Sequence, residues 1–243
     1  IDNEPGTYIL AQQNKQETAE KDEDDDEDEE FEEDDEYADD VVQINDPLYR
    51  FNQDMYEIND GLYVVFIKPT AKVYNKIIPV EIRTCVKNFF YNLRFPIRFV
   101  NCLLQAKGLK AMEEFATFFL NSTVGFAGIG DVASYYDNLP PSPEDLGQTL
   151  AVWGADNGFY IMFPILGPSS LRDGLGRLGD TFLDPIWWVP VEIWTSIGIR
   201  AGEAVNETSL RIGEYEALKE AAIDPYVMIR NAWVQNRNKL IAE

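Results

Sequence analysis

Arg172, Asp173, Arg177 and Asp180 stand close together inside Gly147 to Trp188, a stretch of aromatic and aliphatic clusters broken every few residues by glycine or proline. Such charges are ordinarily surface ion pairs. Here their neighbours Leu171, Leu175, Phe182 and Trp187, with Trp233 near Arg230 further on, point to partial burial, where charges persist only if paired or wetted. A chain this broken also carries backbone groups that must meet water or other protein. The expectation is one wall of a polar slot through a body with a greasy exterior. A lipid headgroup crossing hydrocarbon faces a cost of roughly several kcal/mol per charge, and a charge-lined slot relieves it.

Other chemistries find little support. The chain has no histidine, which removes the commonest general base, the usual zinc ligand and the simplest pH switch. Cys85 and Cys102 are too few for a zinc ribbon and form no CxxC pair. They read either as two buried thiols or as one disulfide across an antiparallel hairpin, since both lie about equally far from the turn at Leu93 to Phe95. Gly174, Gly176 and Gly179 spell GxGxxG, but they follow PSSLRD inside a helical pattern and not a strand, so close helix packing is the better reading. There is no GxxxxGK[ST] loop and no GxSxG elbow. The acidic run lacks a DxDxDG calcium pattern. No metal, no cofactor and no enzymatic activity are expected.

Charge divides the chain unevenly. The net charge is -23, and between Glu17 and Asp40 there are 18 acids against the single base Lys21. From residue 41 onward 23 acids face 18 bases. A block of like charge with so few apolar residues cannot bury enough surface to order itself, so residues 1–44 are expected to be disordered, a solvated spacer before a folded domain at 45–243. The acidity and a pI of about 4.2 disfavour nucleic acid as a partner. No apolar run reaches the roughly 18 residues needed for a membrane-spanning helix. The chain begins at Ile1 without a basic and apolar leader, so a signal peptide is expected to have been removed or to lie outside this sequence.

The folded part reads as all-helical. Asp46-Pro47, Asp184-Pro185 and Asp224-Pro225 each place an N-cap before a first-turn proline, and Ser142-Pro143 with Asp145 is a capping-box variant. Leu48, Phe51, Met55, Ile58, Leu62 and Val65 recur at helical spacing, with Lys68-Pro69 ending that helix. Further helices are predicted to Ile78, over Pro79 to Leu93, over Pro96 to Gln105, and over Leu109 to Asn121 with Met112, Phe115, Ala116 and Phe119 inward. Others precede Trp153, start at Ser170 with Asp173 completing the cap, run from Val189 with Ile193, Ile197, Ala201, Val205 and Leu210 inward, and start at Asp224. Ser122 to Asp131 is apolar and glycine-rich, a packed turn in preference to a mobile loop against membrane. Lys68 to Lys110 holds nine bases and one acid among aromatic residues. Its Lys68, Lys72, Lys76, Arg94 and Arg98 suit either a bilayer surface or a solvated helix face.

DPLYRFNQDMYEIND from Asp46, FFLNSTVGFAGIGDVAS from Phe118, LGQTLAVWG from Leu146, FPILGPSSLRDGLGRLGD from Phe163 and DPYVMIRNAWVQNRNKLI from Asp224 together resemble the MlaA/VacJ family of phospholipid-transport lipoproteins, in order and spacing, over Asp46 to Ile241. The resemblance implies an all-α, ring-like bundle of amphipathic helices in the inner leaflet of the Gram-negative outer membrane, with a central polar channel. It implies a non-enzyme that removes phospholipid misplaced in the outer leaflet and passes it to a soluble periplasmic carrier while bound to an outer-membrane porin trimer. The alternative is an adaptor that binds porins and moves no lipid. The Phe-Asn pair of the family matches Phe51 and Asn52, and its LRD and DPY motifs match Arg172, Asp173 and Asp224 to Tyr226. With Asp131, Asp180 and Arg230, these are the candidate channel residues. Family members carry a lipid-modified cysteine at the mature N-terminus. Both cysteines here are internal, so the resemblance implies an anchor ahead of Ile1, with the acidic segment as its tether.

Overall fold

The computed structural model describes residues 44, 46–190 and 192–243, which belong to the compact unit from Val42 to Glu243. The segment expected to be disordered, residues 1–44, lies outside the described residues except for Ile44. In chain order the helices are α1 (Tyr49–Leu62), α2 (Lys68–Ile77), α3 (Val80–Leu93), α4 (Phe95–Leu104), α5 (Gly108–Thr123) and α6 (Leu146–Val152). Strands β1 (Tyr160–Phe163) and β2 (Gly167–Ser170) precede α7 (Leu171–Asp180), α8 (Pro185–Trp188), α9 (Ile193–Leu210), α10 (Glu214–Ala221) and α11 (Pro225–Ala242).

The all-α expectation holds, and the helix starts show why. Ser170, Asp184 and Asp224 cap α7, α8 and α11 by accepting from the backbone N–H of Asp173, Ile186 and Val227 at 3.1, 3.0 and 3.1 Å. Two expected caps differ. Asp145, and not Ser142, caps α6 through the Gln148 N–H at 2.9 Å. Asp46 caps nothing: α1 begins at Tyr49 with no side-chain cap, because the Asp46 carboxylate is used elsewhere. Lys68-Pro69 opens the next helix but makes no break in the chain. The chain widens into a π-helical turn, Tyr63–Ile67, and runs on into α2 with Pro69 in the first turn, where its missing N–H is not needed.

One hairpin was not foreseen. β1 and β2 are antiparallel, Tyr160 facing Ser170 and Phe163 facing Gly167, with Pro164, Ile165 and Leu166 at the tip. Its Tyr160 and Met162 pack with Tyr226 and Val234 of α11 into the buried apolar cluster, flanked by Met55 and Tyr56 of α1. Helix α6 lies close against α7: a Cβ on Gly176 would strike the backbone of Gly147, and one on Gly179 the side chain of Leu146. Gly176 and Gly179 of the GxGxxG run thus serve helix packing, while Gly174 lies against the Phe163 ring of β1.

The predicted inward faces of α5 and α9 point the other way. On α5, Met112, Phe115 and Phe119 are 69%, 50% and 57% exposed, while Ala111, Glu114, Thr117 and Asn121 are buried. On α9, Ile193 and Ile197 are exposed and Asn206 and Ser209 buried; on α1 the exposed Phe51 sits beside the fully buried Asn52. Among the described residues, 22 polar or charged residues are buried against nine hydrophobic ones, and 39 large hydrophobic residues are exposed. That distribution inverts the rule for a protein folded in water. None of the described helices is long and apolar enough to cross a membrane.

Cys85 and Cys102 are not joined: both thiols are free. Cys102 is fully buried with its Sγ 3.9 Å from Ser142 Oγ, so it faces the segment before α6 and not α3, which carries Cys85.

Candidate functional site

The polar interior consists of side-chain networks that tie distant elements together. The first surrounds Asp46. Its carboxylate accepts from Tyr226 Oη at 2.5 Å, from Arg230 Nη1 at 3.0 Å and from Asn52 Nδ2 at 2.8 Å. Asn52, fully buried, also donates to the Tyr160 carbonyl at 3.1 Å and accepts from the Met162 N–H at 2.8 Å. One side chain thereby reads the β1 backbone in both directions, as an added strand would. Burial, then the Asp46 carboxylate, pushes the Tyr226 phenol up, keeping it a hydrogen-bond donor.

The second network centres on Arg237 of α11, 8% exposed. It donates from Nη1 and Nη2 to Asp145 at 2.6 and 2.5 Å, and from Nε and Nη2 to Asp173 at 2.9 and 3.1 Å. Arg172 Nε completes the row, 3.1 Å from Asp173 Oδ1. A planar guanidinium with donors on two edges can hold two carboxylates at once, which a lysine cannot. Gly147 makes room for it: a Cβ there would strike Asp173 Oδ1 and Arg237 Nη2. Burial works to raise the Asp145 pKa, but the hydrogen bonds and charge of Arg237 hold it below the ordinary carboxylate value.

Asp180 stands next to this network without a cation of its own. It accepts from the Leu146 N–H at 3.0 Å and from Asn101 Nδ2 at 2.9 Å. These bonds do not offset burial, and its pKa is pushed up to about 6, helped by the like charge of Asp145. Asn101 continues through Thr149 Oγ1 at 2.8 Å to Gln105 Nε2 at 3.2 Å and on to Glu144, which also receives Lys107 and Lys110 at 2.9 and 3.3 Å. Glu114 of α5 closes the set, accepting from Arg98 Nε at 2.8 Å, Tyr91 Oη and the Ser142 N–H.

Of the seven channel candidates, the fold brings together Arg172, Asp173 and Asp180 around α6 and α7, and separately Asn52 with Arg230 at Asp46. Phe51 is turned outward at 46% exposed, and the carboxylate of exposed Asp131 accepts from Asn121 Nδ2 at 3.1 Å. The basic-helix residues divide. Lys72 and Lys76 are exposed, Lys68 pairs with Glu216 at 2.7 Å and Arg94 with Glu203 at 2.5 Å. Arg98 departs from a surface role: it is 6% exposed, stacked 3.8 Å over the Tyr91 ring, because Glu114 opposite supplies its counter-charge inside. Sequence reasoning missed Arg237, Asp145 as an ion-pair partner, Glu114 and Glu144. Arg230, Trp233 and Arg237 at spacings of three and four on α11 were the available signal, a helix face on which bases sit with an aromatic.

Several buried polar atoms have no partner in this interior: Arg172 Nη2, Tyr160 Oη, Tyr56 Oη, Asn157 Oδ1 and Gln105 Oε1. An unpartnered buried donor costs free energy unless something fills it.

Comparison with known proteins gives consistent matches. A family model described as MlaA lipoprotein covers residues 44–240. The intermembrane phospholipid transport system lipoprotein MlaA of Escherichia coli is 32% identical over 201 residues, which is 80% of this chain and 77% of that protein. Its Haemophilus influenzae counterpart is 30% identical over 200 residues, 81% of this chain and 79% of that one. A solved structure concerned with the structural basis for maintenance of bacterial outer membrane lipid asymmetry superposes with a TM-score of 0.71 at 30% identity, covering 81% of this chain and 98% of that chain.

Proposed function

The chain belongs to the MlaA lipoprotein family, and from that premise we propose that it takes mislocalised phospholipid from the outer leaflet of a Gram-negative outer membrane and delivers it toward a periplasmic carrier. The body sits in the periplasmic leaflet beside a porin trimer, its apolar helix faces against acyl chains. Headgroups pass along the polar interior while their chains stay in apolar surroundings, so no covalent chemistry is needed and direction comes from the partners.

The observation that carries this reading is the inverted burial, with charged networks inside and phenylalanine, leucine and tryptophan outside. Apolar exteriors on this scale fit a protein solvated by lipid. Within the interior, Arg172 holds Asp173 through Nε and keeps Nη2 buried without an acceptor. That free donor matches a headgroup phosphate oxygen, which guanidinium binds well.

Arg172→Ala tests the assignment with little harm to the fold, because Asp173 keeps both of its bonds from Arg237. Phospholipid exposed on the cell surface, measured in a strain depending on the variant, is expected to rise toward the level of a strain lacking the protein, at normal protein abundance. Normal asymmetry with Arg172→Ala would remove Arg172 from the path. A wild-type protein that binds porin but leaves asymmetry unchanged when deleted would favour the non-transporting adaptor.

A further inference from the structure

The hairpin tip combines features that do not suit water. Ile165 and Leu166 are 83% and 67% exposed, and Ile165, a β-branched residue, adopts φ +69, a conformation such residues avoid. Side chains take four backbone groups in and beside the tip. Asn59 donates from Nδ2 to the Phe163 carbonyl at 2.9 Å and accepts the Ile165 N–H at 2.6 Å. Arg177 donates to the Leu166 and Pro168 carbonyls at 3.3 and 3.2 Å. Pro164 has no N–H to satisfy.

In water, turn carbonyls and amides are solvated without such help. In hydrocarbon each bare group costs free energy, so backbone there must be satisfied from within the protein. A tip that exposes two large aliphatic residues, with side chains taking two of its own backbone groups and two of the strand groups flanking it, is fitted to an apolar phase. Helix α7, which carries Arg177, exposes Leu171, Leu175 and Leu178 as well. Arg177 itself is exposed and charged, and its long stem lets the guanidinium stay at the polar boundary while it caps the turn.

We propose that the β1–β2 tip is a shallow lipid wedge: Ile165 and Leu166 enter the acyl region of a phospholipid leaflet while Arg177 stays at the headgroup level and caps the turn. This rests on the reading that the exterior faces lipid, and it adds a non-helical insertion point with a named capping residue. With the cap only one hydrogen bond from the tip, insertion stops within roughly 5–10 Å of the headgroup boundary.

The test uses the full chain with Cys85→Ala and Cys102→Ala, its helical content checked against wild type, carrying Ile165→Cys or, as reference, Ile197→Cys on α9. Each is labelled with an environment-sensitive fluorophore and reconstituted in phosphatidylethanolamine and phosphatidylglycerol vesicles. The tip label is expected to shift to the blue and to be quenched several-fold more by a nitroxide at a shallow acyl position than by aqueous iodide. Adding Arg177→Gln, which bares two carbonyls, is expected to reverse that order, and Arg177→Lys to restore part of it. Iodide quenching at Ile165 with nitroxide quenching at Ile197 would overturn the wedge and leave the lipid-seated body standing. Iodide quenching at both positions would overturn the lipid-seated reading itself. A tip label shielded from both quenchers would mean a protein occupant and also overturn the wedge, and unchanged depth in Arg177→Gln would overturn the capping role.

Discussion

Replacing Arg237 by methionine removes the one side chain that joins α11 to both Asp145 and Asp173. Methionine keeps much of the volume, so the loss is electrostatic. Asp173 retains Arg172 Nε at 3.1 Å, while Asp145 retains its N-cap bond from Gln148 and no cation among the pairs described. Breaking a buried ion pair from one side costs about 3–5 kcal/mol, because a carboxylate is left uncompensated. The Asp145 side chain is 34% exposed, so water screens part of its share, and the lower end, about 3 kcal/mol, is expected. Against a typical domain stability of roughly 5–15 kcal/mol this is a large fraction. For a domain of this size it corresponds to a fall in Tm of roughly 6–12 °C. Thermal and urea unfolding in mild detergent, followed by circular dichroism, measures it. Without Arg237 the charge and hydrogen bonds that hold the Asp145 carboxyl down are gone while its burial remains, so its pKa rises and the variant's stability falls less steeply with acidification than that of wild type, which loses the Asp145 contribution as pH falls. Arg237→Lys keeps the charge but not the two-edged geometry and should fall between the two. A loss under about 1 kcal/mol, the worth of a surface pair, would show that the network holds nothing together.

Two further perturbations probe the same interior. Asp180 has a folded pKa of about 6 against an ordinary 3.8, so its ionised form is disfavoured by folding. Its contribution therefore grows as pH falls through about 6 and saturates below 3.8, by about 3 kcal/mol at most, and Asp180→Asn should flatten that slope; an unchanged pH profile of Tm would refute it. Gly176→Ala places a Cβ against the Gly147 backbone and should destabilise by about 1–3 kcal/mol, whereas Gly202→Ala on α9 meets nothing within 4 Å and should stabilise by about 0.5–1 kcal/mol, and equal effects in the two unfolding curves would contradict the packing account.

Helix positions were legible in the chain, and so was the α11 face of Tyr226, Ile229 and Trp233; the faces of α5 and α9 were not. Ser170, Asp184 and Asp224 mark starts whose signals are local, because a cap bonds backbone within three residues. Asp46 carries the same signal and fails, since Arg230 and Tyr226, nearly two hundred residues away, take its carboxylate. No local pattern contains that competition. The hairpin was invisible for a related reason: Tyr160 to Phe163 alternates over only four residues, and what holds it there is Asn52 from α1. Arg172, Asp173 and Asp180 could be chosen because charges among aromatics are odd in any sequence, whereas Glu114 and Glu144 sit in ordinary amphipathic company.

On the proposed lipid-facing exterior, the face error on α5 and α9 has a single physical cause. Assigning Met112, Phe115 and Phe119 to the core assumes that water is the solvent, so that removing apolar surface from it drives folding. Where hydrocarbon surrounds the helices, those side chains gain little by turning inward, since acyl tails are as apolar as leucine. Association then has to come from contacts that lipid cannot offer, and the buried row Glu114, Thr117 and Asn121 on α5 supplies them: Glu114 takes Arg98 from α4, and Asn121 accepts the Ala133 N–H at 2.9 Å. The networks that unite the helices also make the interior polar, so under the proposed function one set of side chains serves both stability and the passage of a headgroup. That proposed double use sets the choice of test residues: Arg237 and Glu114, with all their side-chain nitrogens or oxygens engaged, report on the fold, whereas Arg172, with a buried nitrogen left over, is the residue proposed to meet cargo.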